Sequence, residues 1–175
     1  MAESVKIDTY QIGVRGIKNF ILGKYNPSVY TQIVLILSIL YFFWWIARYS
    51  INLIAIQMIE VLPKTEKINN LFNTVGERYA IDNLKDTYFT VCIIELCCAG
   101  LFLTAIILLW RSYKLGYYLL YISFIISLPT IYFWLGMDFI NNEQSRFEYI
   151  IPLILMALYI IDAIFFYKPK NIHHN

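Results

Sequence analysis

The chain has 175 residues, 59% of them hydrophobic and only 15% charged, with a formal net charge of +2. Soluble domains run about 45–50% apolar and about 25% charged, so a water-soluble domain of this length is excluded. It could not bury so much apolar surface. The small net charge says nothing about nucleic acid, but no Lys/Arg cluster resembles a nucleic-acid patch.

The first segment, residues 1–31, reads as a cytoplasmic interfacial helix and a turn. Asp8 with Gln11 matches a capping box, and Tyr10, Val14, Ile17 and Ile21 recur on one helical face. Arg15, Lys18 and Asn19 fall elsewhere on the wheel, as in a basic helix lying on a membrane surface. Such a helix either anchors the first span or docks a partner. Asn26, Pro27 and Ser28 make the turn, and Ser28 is placed to cap the next helix. The first long apolar run starts near Ile33, too late and too long for a cleavable signal.

Residues 32–167 form the expected membrane domain. A helix needs about 20 apolar residues to cross roughly 30 Å of hydrocarbon, and four runs qualify, over about 33–56, 88–110, 115–137 and 149–167. The outer loop, 57–87, carries Ile68, Leu71, Phe72 and Val75 at helical spacing, with Thr65 as its cap and Gly76 as its end. A second short helix is expected from about Tyr79 into span two. The other connections are the tight turn "RSYK" and the polar "DFINNEQSRFE". Residues 168–175 are a cytoplasmic tail, and its His173 and His174 read as a solvated end rather than a metal site. The expected fold is therefore all-α, a four-transmembrane-helix bundle with an N-terminal amphipathic interfacial helix.

Orientation follows from Lys/Arg placement. Eight fall on the side of the termini and the "RSYK" turn, and five on the other. Both termini are expected in the cytoplasm of a bacterial inner membrane, with an organellar membrane as the alternative.

Ionisable residues inside a span are costly, so each marks a candidate site whose partner must be named. Counting 1.5 Å per residue puts Arg48 of span one and Glu95 of span two at matching depths in the outer third. The pair Arg48–Glu95 is expected, with Asn52 on the same face as Arg48 and Trp44 and Trp45 able to stack on the guanidinium. The pair either fixes which helices pack together or lines a pocket for an anion, a lipid headgroup or a proton. Asp162 of span four has Tyr159 and Ser123 as its expected hydrogen-bond partners. Gly100 with Thr104, and Ser123 with Ser127, match small-xxx-small contacts across the "RSYK" hairpin. Pro129 is expected to kink span three.

No catalytic constellation, phosphate loop, nucleotide fingerprint or His/Cys metal spacing is present, and no cofactor is expected. An enzyme would have to use Arg, Glu, Asp and Tyr alone. Cys92, Cys97 and Cys98 lie in one apolar run and read as small core residues. The expected function is a non-catalytic subunit or accessory factor of a larger membrane complex. Its partners would be the lipid bilayer and other membrane subunits or itself, with no nucleic acid. The alternative is a small carrier or binding protein for a lipid, quinone or ion, built on Arg48, Glu95 and Asp162.

At the central hairpin, Trp110, Arg111, Lys114, Gly116, Tyr117 and Tyr118 follow a pattern of small bacterial four-span proteins. About 23 residues here resemble the DoxX-like group in its broad sense. The resemblance implies a four-helix bundle in a bacterial inner membrane, and no functional residue.

Overall fold

A computed structural model describes residues 27–59, 65–143 and 147–166. The expected interfacial helix and the C-terminal tail lie outside the described residues. Every described element is helical: α1 (Val29–Ile59), α2 (Thr65–Tyr79), α3 (Leu84–Trp110), α4 (Leu115–Glu143) and α5 (Phe147–Ile161). A π-helical turn over Asp162–Phe166 extends α5. Four helices are long and apolar enough to cross a membrane: α1, α3, α4, and α5 with its terminal turn.

All four reach beyond their apolar runs. Hydropathy marks what can sit in lipid, whereas backbone bonding continues into polar sequence. Thus α1 starts at Val29 rather than near Ile33, where Ser28 Oγ accepts the Thr31 amide at 3.1 Å and caps the helix. Likewise α4 continues to Glu143, and α5 opens at Phe147, which places Glu148 in its first turn.

The two described turns between helices, after α2 and after α3, are closed by Schellman motifs. After α2, Ala80 takes a left-handed conformation (φ 53°) and the Ile81 amide bonds the Gly76 carbonyl at 2.9 Å. The helix therefore runs one turn past Gly76, which was expected to end it. Gly76 serves a close approach instead, because a Cβ there would sit 2.9 Å from the Ile81 carbonyl oxygen. No separate helix begins at Tyr79, and α3 starts at Leu84. After α3, Ser112 (φ 61°) plays the left-handed role, with the Tyr113 amide on the Leu108 carbonyl at 2.9 Å.

The core is built around α3, which packs on α1 and α4. Trp45, Phe102 and Phe124 meet at its centre, Trp45 stacked on Phe124 with centroids 6.0 Å apart. The amphipathic α2 lies across α3 and α4, its Tyr79 edge-on to Phe139 and donating to Glu143 Oε1 at 2.9 Å. Helix α5 packs on α1 and α4 at the periphery.

One packing expectation needs correction. Gly100 and Thr104 are exposed, and a Cβ on Gly100 would meet nothing within 4 Å. Their shared face is turned about 100° from that of buried Ala99, so the spacing is right and the direction wrong. The close contact is made by Gly116, where a Cβ would lie 2.6 Å from Leu109 Cγ and 2.9 Å from the Ala105 carbonyl oxygen. Pro129 sits exposed inside α4, and the helical backbone is broken further on, at Gly136 (φ 76°, ψ 157°). Proline keeps a helical φ while losing one bond, whereas this Gly136 geometry is open essentially only to glycine.

Candidate functional site

The inward face of α1 carries a row of polar groups, and each meets a partner from another helix. At the N-terminal end of α1, Asp162 is fully buried. Its Oδ1 accepts from Thr31 Oγ1 at 2.6 Å and its Oδ2 from the Tyr117 hydroxyl at 2.6 Å. Ser28 in turn lies 2.7 Å from Thr31 Oγ1 and supplies the donor that Thr31 has spent on Asp162. The expected partners Tyr159 and Ser123 do not reach Asp162. Tyr159 pairs with Ser38 at 2.7 Å, and Ser123 donates to the Leu120 carbonyl at 2.7 Å. Both lie deeper in the bundle: Tyr159 is three residues before Asp162 on α5, and Ser123 six past Tyr117 on α4.

In the middle of the bundle stands Glu95 of α3, also fully buried. Its Oε2 accepts from the Trp45 indole at 3.0 Å and from Ser127 Oγ at 2.8 Å. Its Oε1 has no partner, alone among the buried side-chain polar atoms of the described residues.

One turn further along α1, Arg48 forms an ion pair with Glu148 of α5. Glu148 also accepts from the Tyr49 hydroxyl at 3.3 Å. The guanidinium lies over the Trp44 ring, 5.5 Å from its centroid. Asn52 donates its amide to the Tyr88 hydroxyl at 3.0 Å, a hydroxyl that also bonds Arg48.

The expected Arg48–Glu95 pair is therefore corrected to Arg48–Glu148. Trp45 bonds Glu95 of α3, while Arg48, one turn on, pairs with Glu148 of α5 and bonds Tyr88 of α3 instead of Glu95. Depth counting was off by that turn. Glu148 was missed because span four was expected to begin at Tyr149, which left the acid in a polar loop. A periodic signal existed: Glu148, Pro152, Leu155, Tyr159 and Asp162 are the buried residues of α5 and its terminal turn, spaced four, three, four and three.

Glu148 and Asp162 are fourteen residues apart on α5, about 21 Å along the axis. They stand near the two edges of the roughly 30 Å that hydrocarbon would cover. The Arg48–Glu148 pair thus belongs at one boundary and the Asp162 cluster at the other.

Between α1 and α5 runs a groove of about 630 Å³. Its walls are mainly apolar, among them Leu37, Leu40, Ile154 and Leu158, and one end holds Arg48, Trp44 and Phe147. Leu37 and Arg48 are eleven residues apart, about 17 Å, close to the roughly 15 Å of one leaflet's hydrocarbon. Leu37, Leu40, Trp44, Phe147 and Ile154 are exposed, so the groove opens to the outside of the bundle. Comparison with family models, curated proteins and solved structures finds no match for the chain.

Proposed function

We propose that this chain is an integral membrane protein that binds an amphiphile between α1 and α5 and performs no chemistry on it. The observation that carries the reading is the leaflet-length apolar groove with a guanidinium at one end. The apolar walls match a hydrocarbon tail, and Arg48 supplies N–H donors for a polar head. The remaining polar row has a structural task. Thr31 and Tyr117 hold both oxygens of Asp162, Trp45 and Ser127 hold one oxygen of Glu95, and these bonds between helices fix how the four sit.

The Lys/Arg bias supports placing both termini on the cytoplasmic side of a bacterial inner membrane. A reporter fused after Asn175 is expected to read cytoplasmic, and a periplasmic signal would reverse the orientation. A second reading, a non-catalytic subunit of a larger complex, is favoured by the exposed aromatic band Tyr132, Phe133 and Trp134 on α4.

The binding reading is tested by native mass spectrometry after extraction in a mild detergent. The wild type is expected to carry one small amphiphile per chain, and Leu40→Trp, which fills the groove from an exposed position, is expected to carry none. Identical bare masses for the two proteins would refute it.

A further inference from the structure

We propose that Glu95 is a proton-binding site in the middle of the bundle, its carboxyl held as the neutral acid with the proton on Oε1. This goes beyond the binding reading above and does not depend on it.

The first reason is the missing counter-charge. Glu95 is fully buried, and its Oε1 bonds nothing among the described residues. Arg48, one turn past Trp45, pairs with Glu148, and Arg78 pairs with Glu143 at the exposed surface. Neither forms an ion pair with Glu95. A carboxylate taken out of water needs a cation or donors on both oxygens. Glu95 has donors on one oxygen only. Held as the neutral acid, it leaves a single hydroxyl unbonded, which costs less than an uncompensated charge.

The second reason is the pattern of the bonds. Oε2 takes two, from the Trp45 indole at 3.0 Å and from Ser127 Oγ at 2.8 Å, while Oε1 takes none. A neutral carboxyl is just so divided. Its carbonyl oxygen accepts through two lone pairs, and its other oxygen carries the hydrogen. Oε2 is therefore the carbonyl and Oε1 the hydroxyl.

The third is the surroundings. From α1, Tyr41 and Tyr49 face the carboxyl, and from α4 the uncharged Ser127. Cys92 and Cys98 flank it on α3 itself. These phenols and thiols supply no cation. From α5 come Tyr149 and the Glu148 carboxylate, which lies within electrostatic reach. Loss of the Glu95 proton would set two carboxylates against the Arg48 guanidinium, and like charges disfavour that second ionisation. An acid of this kind inside a span marks a functional position, and the ligand whose chemistry fits it is a proton.

The test is infrared spectroscopy of the folded protein at neutral pH, with glutamate isotope-labelled so that its carboxyl bands stand apart from those of aspartate. The wild type is expected to show one protonated glutamic-acid band, and Glu95→Gln to lack it. A wild-type spectrum with carboxylate bands alone would overturn the proposal, and needs no variant to fold. A protonated band that persists in Glu95→Gln would overturn the assignment to Glu95. Stability gives a second readout. Where the folded chain holds a proton that the unfolded chain has released, rising pH favours unfolding, by up to about tenfold in the equilibrium per pH unit. Wild type is therefore expected to lose ground to Glu95→Gln as pH rises through neutrality in a denaturing-detergent titration. A constant gap, or a gain for wild type, would overturn the proposal.

Discussion

Arg48→Ala is expected to lose most of its folded protein. The change removes the guanidinium that pairs with the Glu148 carboxylate, whose side chain is 3% exposed. Removing one partner of a buried pair costs about 3–5 kcal/mol, a large fraction of the stability of a small domain. Hydrogen bonds between membrane helices average only about 0.6 kcal/mol, so a loss of several kcal/mol marks an ion pair rather than an ordinary polar contact. Adding Glu148→Gln should restore most of the loss, because the neutral amide still accepts from Tyr49 and no longer needs a cation. Adding Glu95→Gln instead should restore nothing. The readout is the monodisperse fraction and melting temperature in detergent. Rescue by Glu95→Gln rather than Glu148→Gln would return the pairing to α3.

The second large effect is expected at Gly116. An added Cβ would lie 2.6 Å from Leu109 Cγ and 2.9 Å from both the Ala105 carbonyl oxygen and the Leu109 amide nitrogen. A side chain can swing aside, but two backbone atoms of α3 cannot without opening the hairpin. Overpacking of this kind costs typically about 1–3 kcal/mol, and Gly116→Ala belongs at the upper end. Gly100→Ala is the control. It fills open space on an exposed helical position, where replacing glycine by alanine gains up to about 1 kcal/mol. A lower melting temperature for Gly116→Ala beside an equal or higher one for Gly100→Ala confirms which glycine lies in the seam. The reverse order would place the contact on the other face of α3.

The contrast between these glycines shows what can be read from a sequence of this kind. Four helices were legible because runs of some twenty apolar residues have few other homes. That Glu95 and Asp162 are buried and Arg48 half-buried and paired was legible for the same reason, since each interrupts such a run. Facing was not legible from spacing alone. Gly100 and Thr104 satisfy a small-residue motif, yet point outward by about 100°. Partners were the least legible, because a helix turn of error in depth moves a contact to a different neighbour. Trp45 and Arg48 differ by three residues, and their acid partners are Glu95 of α3 and Glu148 of α5 respectively.

Glu148 adds a lesson about boundaries. Placed one residue outside the apolar run, it reads as loop charge, yet α5 opens at Phe147 and turns it inward. The 4-3-4-3 spacing back from Asp162 through Tyr159, Leu155 and Pro152 would have reached it. Similarly, Ala80 and Ser112 close their helices in left-handed conformations that glycine usually supplies. A terminating glycine read from the sequence, Gly76, therefore falls one turn early.

What occupies the groove can be observed in native membranes. A photo-crosslinking amino acid at Leu40, 62% exposed in the groove wall, would be compared with one at Ile125, 61% exposed on α4. The expected result is a single discrete small-molecule adduct at Leu40 and only heterogeneous lipid adducts at Ile125. A defined protein adduct at Leu40 would contradict it, since a partner subunit rather than an amphiphile would then cover the face between α1 and α5.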